Sequence, residues 1–336
     1  MTSWVRSNIT WLALTLGVGL LVAAILMAAL KVDWSRLGEA EPWHVAALAA
    51  CVAVNLVLSG VLWWSVTLSF DAKPVVPFGK MFALVCASGL LNYLPLRPGL
   101  VGRAAYLKMK HNLPVRQSLW ILGVVMSLAA LVLGGAAAIV QFVPPAYQYE
   151  VALAAAVIVS IITPLAAGRL LKRKIMHGWA WVPIRLGDML VNALRLWIAF
   201  AVVGQEISLG EAVLAASAGS FVALLGLTPN GLGMREWTIA GVTAASVGPI
   251  GFAAAVIDRG VEAIIVTVFG LLALKKVGLQ RGEKLEVETD EKTVASEVMS
   301  RRDDQINSRR AMPAGRFGIG GYVLKSAGLR RALPAG

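Results

Sequence analysis

The sequence predicts an all-α polytopic membrane protein with six full spans and two re-entrant helical hairpins, arranged as an inverted repeat. Three observations predict it. Hydrophobic residues make up 58% of the chain and charged residues only 15%, and several apolar runs exceed the roughly 18 residues that mark a membrane-crossing helix. Two further apolar stretches are too short to cross and are broken by Pro and Gly, one around Asn92 to Arg103, the other around Leu227 to Glu236. The breaks share a pattern, Gly99-Leu100 with Arg103 and Gly231-Leu232 with Arg235. Paired interruptions at matching places in two halves point to a transporter-type site near the bilayer midplane.

The elements follow in order. Residues 9–30 are too long for the apolar region of a cleaved signal peptide and predict a retained first span. The loop after it carries Asp33, Glu39 and Glu41 against Lys31 and Arg36, which suits the outside. Residues 45–68 form the second span, with Asn55 and Ser59 on one face and Trp63 and Trp64 read as an interfacial aromatic belt. Residues 79–94 run only about 16 residues before Pro95, and at 1.5 Å per residue they barely reach across about 30 Å of hydrocarbon. If they dip in and return, Lys73, Lys80, Lys108, Lys110 and Arg116 all lie on one side, as the positive-inside rule asks.

Residues 118–142 then span outward, and 151–168 return to the basic loop of Arg169, Lys172, Arg173 and Lys174. Residues 182–203 lead out to a loop holding Glu206 and Glu211, and 212–227 with 234–247 form the second hairpin. Residues 251–274 come back to Lys275, Lys276 and Arg281. Each half, about 8–142 and 150–276, reads span, span, hairpin, span, with opposite orientation. The alternative is eight ordinary spans, some of them short and tilted. Residues 1–281 are thus the transmembrane domain, with both termini cytoplasmic in the cytoplasmic membrane of a prokaryote. Residues 282–336 join an acidic run to paired arginines among Gly and Pro and read as a largely disordered cytoplasmic tail.

The formal charge of +12 does not indicate nucleic acid: the basic residues sit between apolar runs and in the tail, and no nucleic-acid-binding motif occurs. Cys51 and Cys86 lie inside apolar stretches, and His44, His111 and His177 are far apart, which excludes the usual disulfide frameworks and metal-ligand spacings. Without a nucleophile elbow or a Walker loop, the chain reads as neither an enzyme nor an ATP-driven pump. No cofactor is expected.

The candidate substrate-binding residues are polar groups that a bilayer would otherwise exclude. Arg103 and Arg235 each start the returning half of a hairpin, where a half-helix presents unpaired N–H groups and its positive dipole end. Gly99, Gly102, Gly231 and Gly233, with Pro229 and Arg97 beside them, would let a headgroup approach the backbone. Residues Arg185, Asp188, Asn192 and Arg195 follow a 3, 4, 3 spacing on one helical face. Arg185 is placed at the interface, and Asp188, Asn192 and Arg195 deeper. Asp258, Arg259 and Glu262 share a face of the last span, and Glu236 follows Arg235. Ionisable groups at this depth mark a pathway or lock helices together. Near Met126 to Ala130, the matching place in the first half, there is no charge.

These motifs resemble the transmembrane domain of the lysylphosphatidylglycerol synthase/flippase family. Pro95-x-Arg97-x-Gly99 with Arg103 is similar to the family's first motif, Thr228 to Glu236 to its second, and Asp258-Arg259 with Glu262 to that of the following helix. The resemblance covers roughly residues 8–276. The chain departs from the family at Leu100, where an acidic residue is usual, and at Val124 to Ser127, where an Arg with nearby acids is usual. Nothing in this chain reads as the family's aminoacyl-transferase domain, so the resemblance implies lipid translocation rather than synthesis. The expected partner is a membrane phospholipid with an anionic or aminoacylated headgroup, and a homo-oligomer is left open. The competing expectation is a non-transporting scaffold for a membrane glycosyltransferase or envelope-assembly enzyme, docked through the charged tail. Deleting 282–336 separates the two, because a scaffold would lose function with lipid movement intact.

Overall fold

Proline and glycine set many of the helix boundaries. The computed structural model describes residues 3–31, 41–70, 75–94, 98–171 and 178–277, and every regular element among them is helical. They are α1 (Ser3–Lys31), α2 (Pro42–Leu68), α3 (Phe78–Leu91), α4 (Pro98–His111), α5 (Val115–Phe142), α6 (Gln148–Leu171), α7 (Trp181–Val202), α8 (Leu209–Leu225), α9 (Met234–Val247) and α10 (Gly251–Val277). Pro42 and Pro98 each open a helix, where the missing N–H is harmless and the fixed φ is already helical. Gly226 ends α8 at φ 71°, and Gly233 and Gly248 flank α9 at φ 77° and 63°. The tail 282–336, Arg97 and most of the first loop lie outside the described residues.

The chain is a helical membrane protein. Among the described residues, α2, α5 and Glu150–Arg169 of α6 are long and apolar enough to cross a bilayer. α7 and α10 have 22 and 27 residues and so also exceed about 30 Å at 1.5 Å per residue. Their apolar runs, however, are interrupted by Arg185, Asp188 and Arg195 in one and by Asp258, Arg259 and Glu262 in the other. α3, α4 and α9 have 14 residues each and α8 has 17. These four are about 21–26 Å long, and they pack in pairs, α3 with α4 and α8 with α9.

The first turn of α8 is fixed by a capping box. The Ser208 hydroxyl accepts from the Glu211 amide at 3.2 Å, and the Glu211 carboxylate accepts from the Ser208 amide and hydroxyl at 3.0 Å each. Ser208→Ala is expected to remove about 1 kcal/mol of stability, read as a lower melting temperature in detergent.

Two apolar cores hold the helices. Leu62, Val66, Met81, Leu84, Ile121 and Leu128 form one among α2, α3 and α5, closed by Trp181 and Met189 of α7. The other joins α1, α7, α8, α9 and α10 and is rich in alanine, including Ala24, Ala199, Ala212, Ala215 and Ala253. Small side chains let helix backbones approach closely where lipid removes the hydrophobic drive to associate. α2 lies along α7, α3 packs on α10, and α8 packs on α5. α6 turns Val157, Ile158, Ile161, Ile162 and Leu165 outward, an apolar face suited to lipid.

Candidate functional site

The corner between α8 and α9 gathers six charged groups. After Gly226, Thr228 and Pro229 are buried, and Asn230 and Gly231 take positive φ, 49° and 72°. Asn tolerates that region better than most residues. A Cβ on Gly231 would lie 2.6 Å from Ala223 Cβ, and one on Gly233 would lie 2.7 Å from the Gly17 carbonyl oxygen of α1. The corner is therefore pressed against α8 and α1, and it delivers Arg235 and Glu236 in the first turn of α9.

Three arginines and three carboxylates from α7, α9 and α10 meet there. Arg195 Nη2 donates to Asp258 Oδ2 at 3.0 Å and to Glu262 Oε2 at 2.7 Å, and its Nε ion-pairs Asp258 Oδ1. Arg235 donates from Nη2 to Asp258 Oδ2 at 2.9 Å and from Nη1 to Glu262 Oε2 at 2.6 Å. Arg259 donates to Glu262 Oε1 at 3.2 Å and to the Asn230 carbonyl at 2.7 Å, and its Nε pairs with Glu236 Oε1 at 3.3 Å. The formal charges of the six groups cancel. Five of them are buried, while the Glu262 side chain keeps 15% of its surface exposed. Glu262 is also the hub: it accepts from three guanidiniums and, at 3.4 Å, from the Tyr93 hydroxyl.

Around the network lies a polar shell. Asn192 accepts from Arg235 at 3.5 Å and donates to Ser220 Oγ at 2.7 Å. Tyr93 sits under Arg259, 5.1 Å from ring centroid to guanidinium carbon. Asp188 is held apart from the six: it pairs with Arg185 and accepts from Asn55 of α2 at 2.9 Å. That contact stitches α2 to α7.

The structure thus brings together Asn192, Arg195, Arg235, Glu236, Asp258, Arg259 and Glu262, and it gives Asp188, Arg103 and Gly99 other partners. Arg103 does not start its half-helix, because α4 begins at Pro98 and carries Arg103 into its second turn. It donates to Ser88 Oγ at 3.3 Å and stacks 3.9 Å over the Trp63 ring. Gly99, Gly231 and Gly233 meet protein rather than open space; a Cβ on Gly99 would fall 2.2 Å from the Ser88 carbonyl. Only Gly102 of the four candidate glycines has nothing within 4 Å of its Cβ direction. Trp63 lies under the Arg103 guanidinium, and Trp64 Nε1 donates to the Val76 carbonyl at 3.0 Å. Arg97 lies outside the described residues.

Sequence reasoning missed Tyr93, Ser220 and the Asn230 carbonyl. Tyr93 sits at the end of the broken first apolar stretch, a polar-tipped residue beside a Pro/Gly break, and that position was its signal. Nothing in the spacing announces Ser220. Among the described residues no group of His, Cys, Asp and Glu is arranged to hold a metal ion. Comparison with known proteins returns no matching family model, no matching curated protein and no matching solved structure.

Proposed function

We propose that this protein is a translocase for a phospholipid with a polar, anionic or aminoacylated headgroup, working in the cytoplasmic membrane. The observation that carries the reading is the closed set of three arginines and three carboxylates at the corner of a broken helix inside an apolar helical unit. Such groups are costly in a bilayer and mark a substrate or ion path by default. The pairing pattern favours the inverted repeat of six spans and two hairpins: α3 packs on α10 as α8 packs on α5, with α2 and α7 together between them.

Glu262 is the exchangeable member. A headgroup phosphate taking its place on Arg195 and Arg235 would keep their charge-assisted bonds. A cationic group on the same headgroup, such as an aminoacyl ammonium, would then pair with the released carboxylate, and the site would stay neutral. With a purely anionic lipid, neutrality instead requires Glu262 to take up a proton. Exchange of this kind leaves no uncompensated charge in the membrane at any stage.

The test is lipid movement in liposomes containing the purified protein, with fluorescent phosphatidylglycerol and a lysyl-headgroup analogue. Wild type should move lipid at least about tenfold faster than protein-free vesicles, and Glu262→Gln, folded by size exclusion, should fall back to the protein-free rate. Equal rates with and without wild-type protein, for both lipids, would sink the proposal.

A further inference from the structure

Among the described residues, Arg103 is the charged site residue that the central network leaves without a counter-charge. It is buried, with 6% of its surface exposed, and among the described residues it makes no ion pair. Its Nη1 has no hydrogen-bond partner. The cause lies on the neighbouring helix. α10 presents Asp258 and Glu262 to Arg235, whereas α5 turns Ile121, Val125 and Leu128 into an apolar core.

Arg103 lines a cavity of about 410 Å³ between α4 and the first turns of α5. None of the six network residues lines it. Its walls are apolar, including Trp63, Leu107, Ile121 and Leu122, and its rim carries Val101 and Leu119, which are 68% and 59% exposed. A second polar group also lines it without a partner: the Ser118 hydroxyl is buried and makes no hydrogen bond. A guanidinium with no counter-charge, its Nε on Ser88 but its Nη1 without a partner, and an unpaired hydroxyl thus share one apolar chamber with an apolar rim.

We propose that this cavity is a separate lipid-binding site, in which Arg103 and Ser118 hold the phosphodiester of an anionic phospholipid and the Val101–Leu119 side takes its acyl chains. A phosphodiester carries the single negative charge that neutralises Arg103, and its oxygens accept from both unpartnered donors. An acyl chain suits the apolar walls and rim better than water does. The proposal deepens the translocase reading, and rests on it, by making this cavity a loading station distinct from the Glu262 network.

The experiment measures binding of dioctanoylphosphatidylglycerol to the full chain in detergent, beside dioctanoylglycerol and inorganic phosphate. Arg103→Gln should weaken the phospholipid about tenfold or more, and Arg103→Lys should keep most of the affinity. Dioctanoylglycerol and inorganic phosphate should each bind wild type about tenfold more weakly than the phospholipid does. Without lipid, Arg103→Gln should melt no lower than wild type, because it removes an uncompensated buried charge. Unchanged phospholipid affinity in Arg103→Gln would overturn the proposal. So would a lowered lipid-free melting temperature, which would mark the arginine as structural, or inorganic phosphate binding as tightly as the phospholipid. Arg103-dependent binding without any lipid movement by wild type would instead sink the translocase reading alone.

Discussion

Asp258→Ala is expected to remove about 3–5 kcal/mol of stability, the usual cost of deleting one partner from a buried ion pair. Asp258 accepts from Arg195 and Arg235 together, so its loss leaves Glu262, which Arg259 also uses, as the one carboxylate bonded to both. The measurement is thermal or denaturant unfolding in detergent. The double variant Arg195→Leu/Asp258→Leu should recover part of the loss, because it removes one positive and one negative group and restores the balance. A double-mutant cycle reads the coupling directly. Additive losses would show that the two side chains stabilise the fold independently.

Gly233→Ala carries the second large effect. The residue sits at φ 77°, and its Cβ would lie 2.4 Å from Leu20 Cβ and 2.7 Å from the Gly17 carbonyl of α1. Positive φ and a backbone clash add, giving a loss of at least about 2 kcal/mol. Trp237 supplies a local readout, since its Nε1 donates to the Leu20 carbonyl at 3.0 Å. If the α1 contact opens, that indole loses its partner, and proteolysis between α1 and α2 should accelerate. A variant with wild-type melting and wild-type proteolysis would show that the corner adapts.

Much of this was legible in the sequence, for identifiable reasons. α9 runs from Met234 to Val247 as read, because Gly233 and Gly248 punctuate both ends. The face shared by Arg185, Asp188, Asn192 and Arg195 was legible from helical spacing. What each side chain meets on that face was not, because spacing within one helix says nothing about the helix opposite. Asp188 turned out to meet Asn55 of α2, and Arg195 to meet α10. The start of α4 is not legible from the Gly-Leu-x-x-Arg pattern, because two differently built corners share it. Pro98 opens a helix at once, while Asn230, Gly231 and Gly233 hold the other corner in positive φ. The packing of Gly99, Gly231 and Gly233 against α3, α8 and α1 is a tertiary fact with no local signature.

The cancelling charges of the six-membered network have a further consequence. A membrane potential does about 2.3 kcal/mol of work per elementary charge per 100 mV. A hairpin carrying Arg235 alone would therefore be driven by voltage whenever it rocked across the field. Of the six, α9 and α10 by themselves carry Arg235 and Arg259 against Glu236, Asp258 and Glu262, two positive groups against three negative ones, so only a shift that takes Arg195 of α7 along moves the network as a neutral body and does no electrical work. On the translocase reading, a six-membered network moving as one body would be blind to the potential, and voltage dependence would fall to the cargo and to charges outside the network, Arg103 among them.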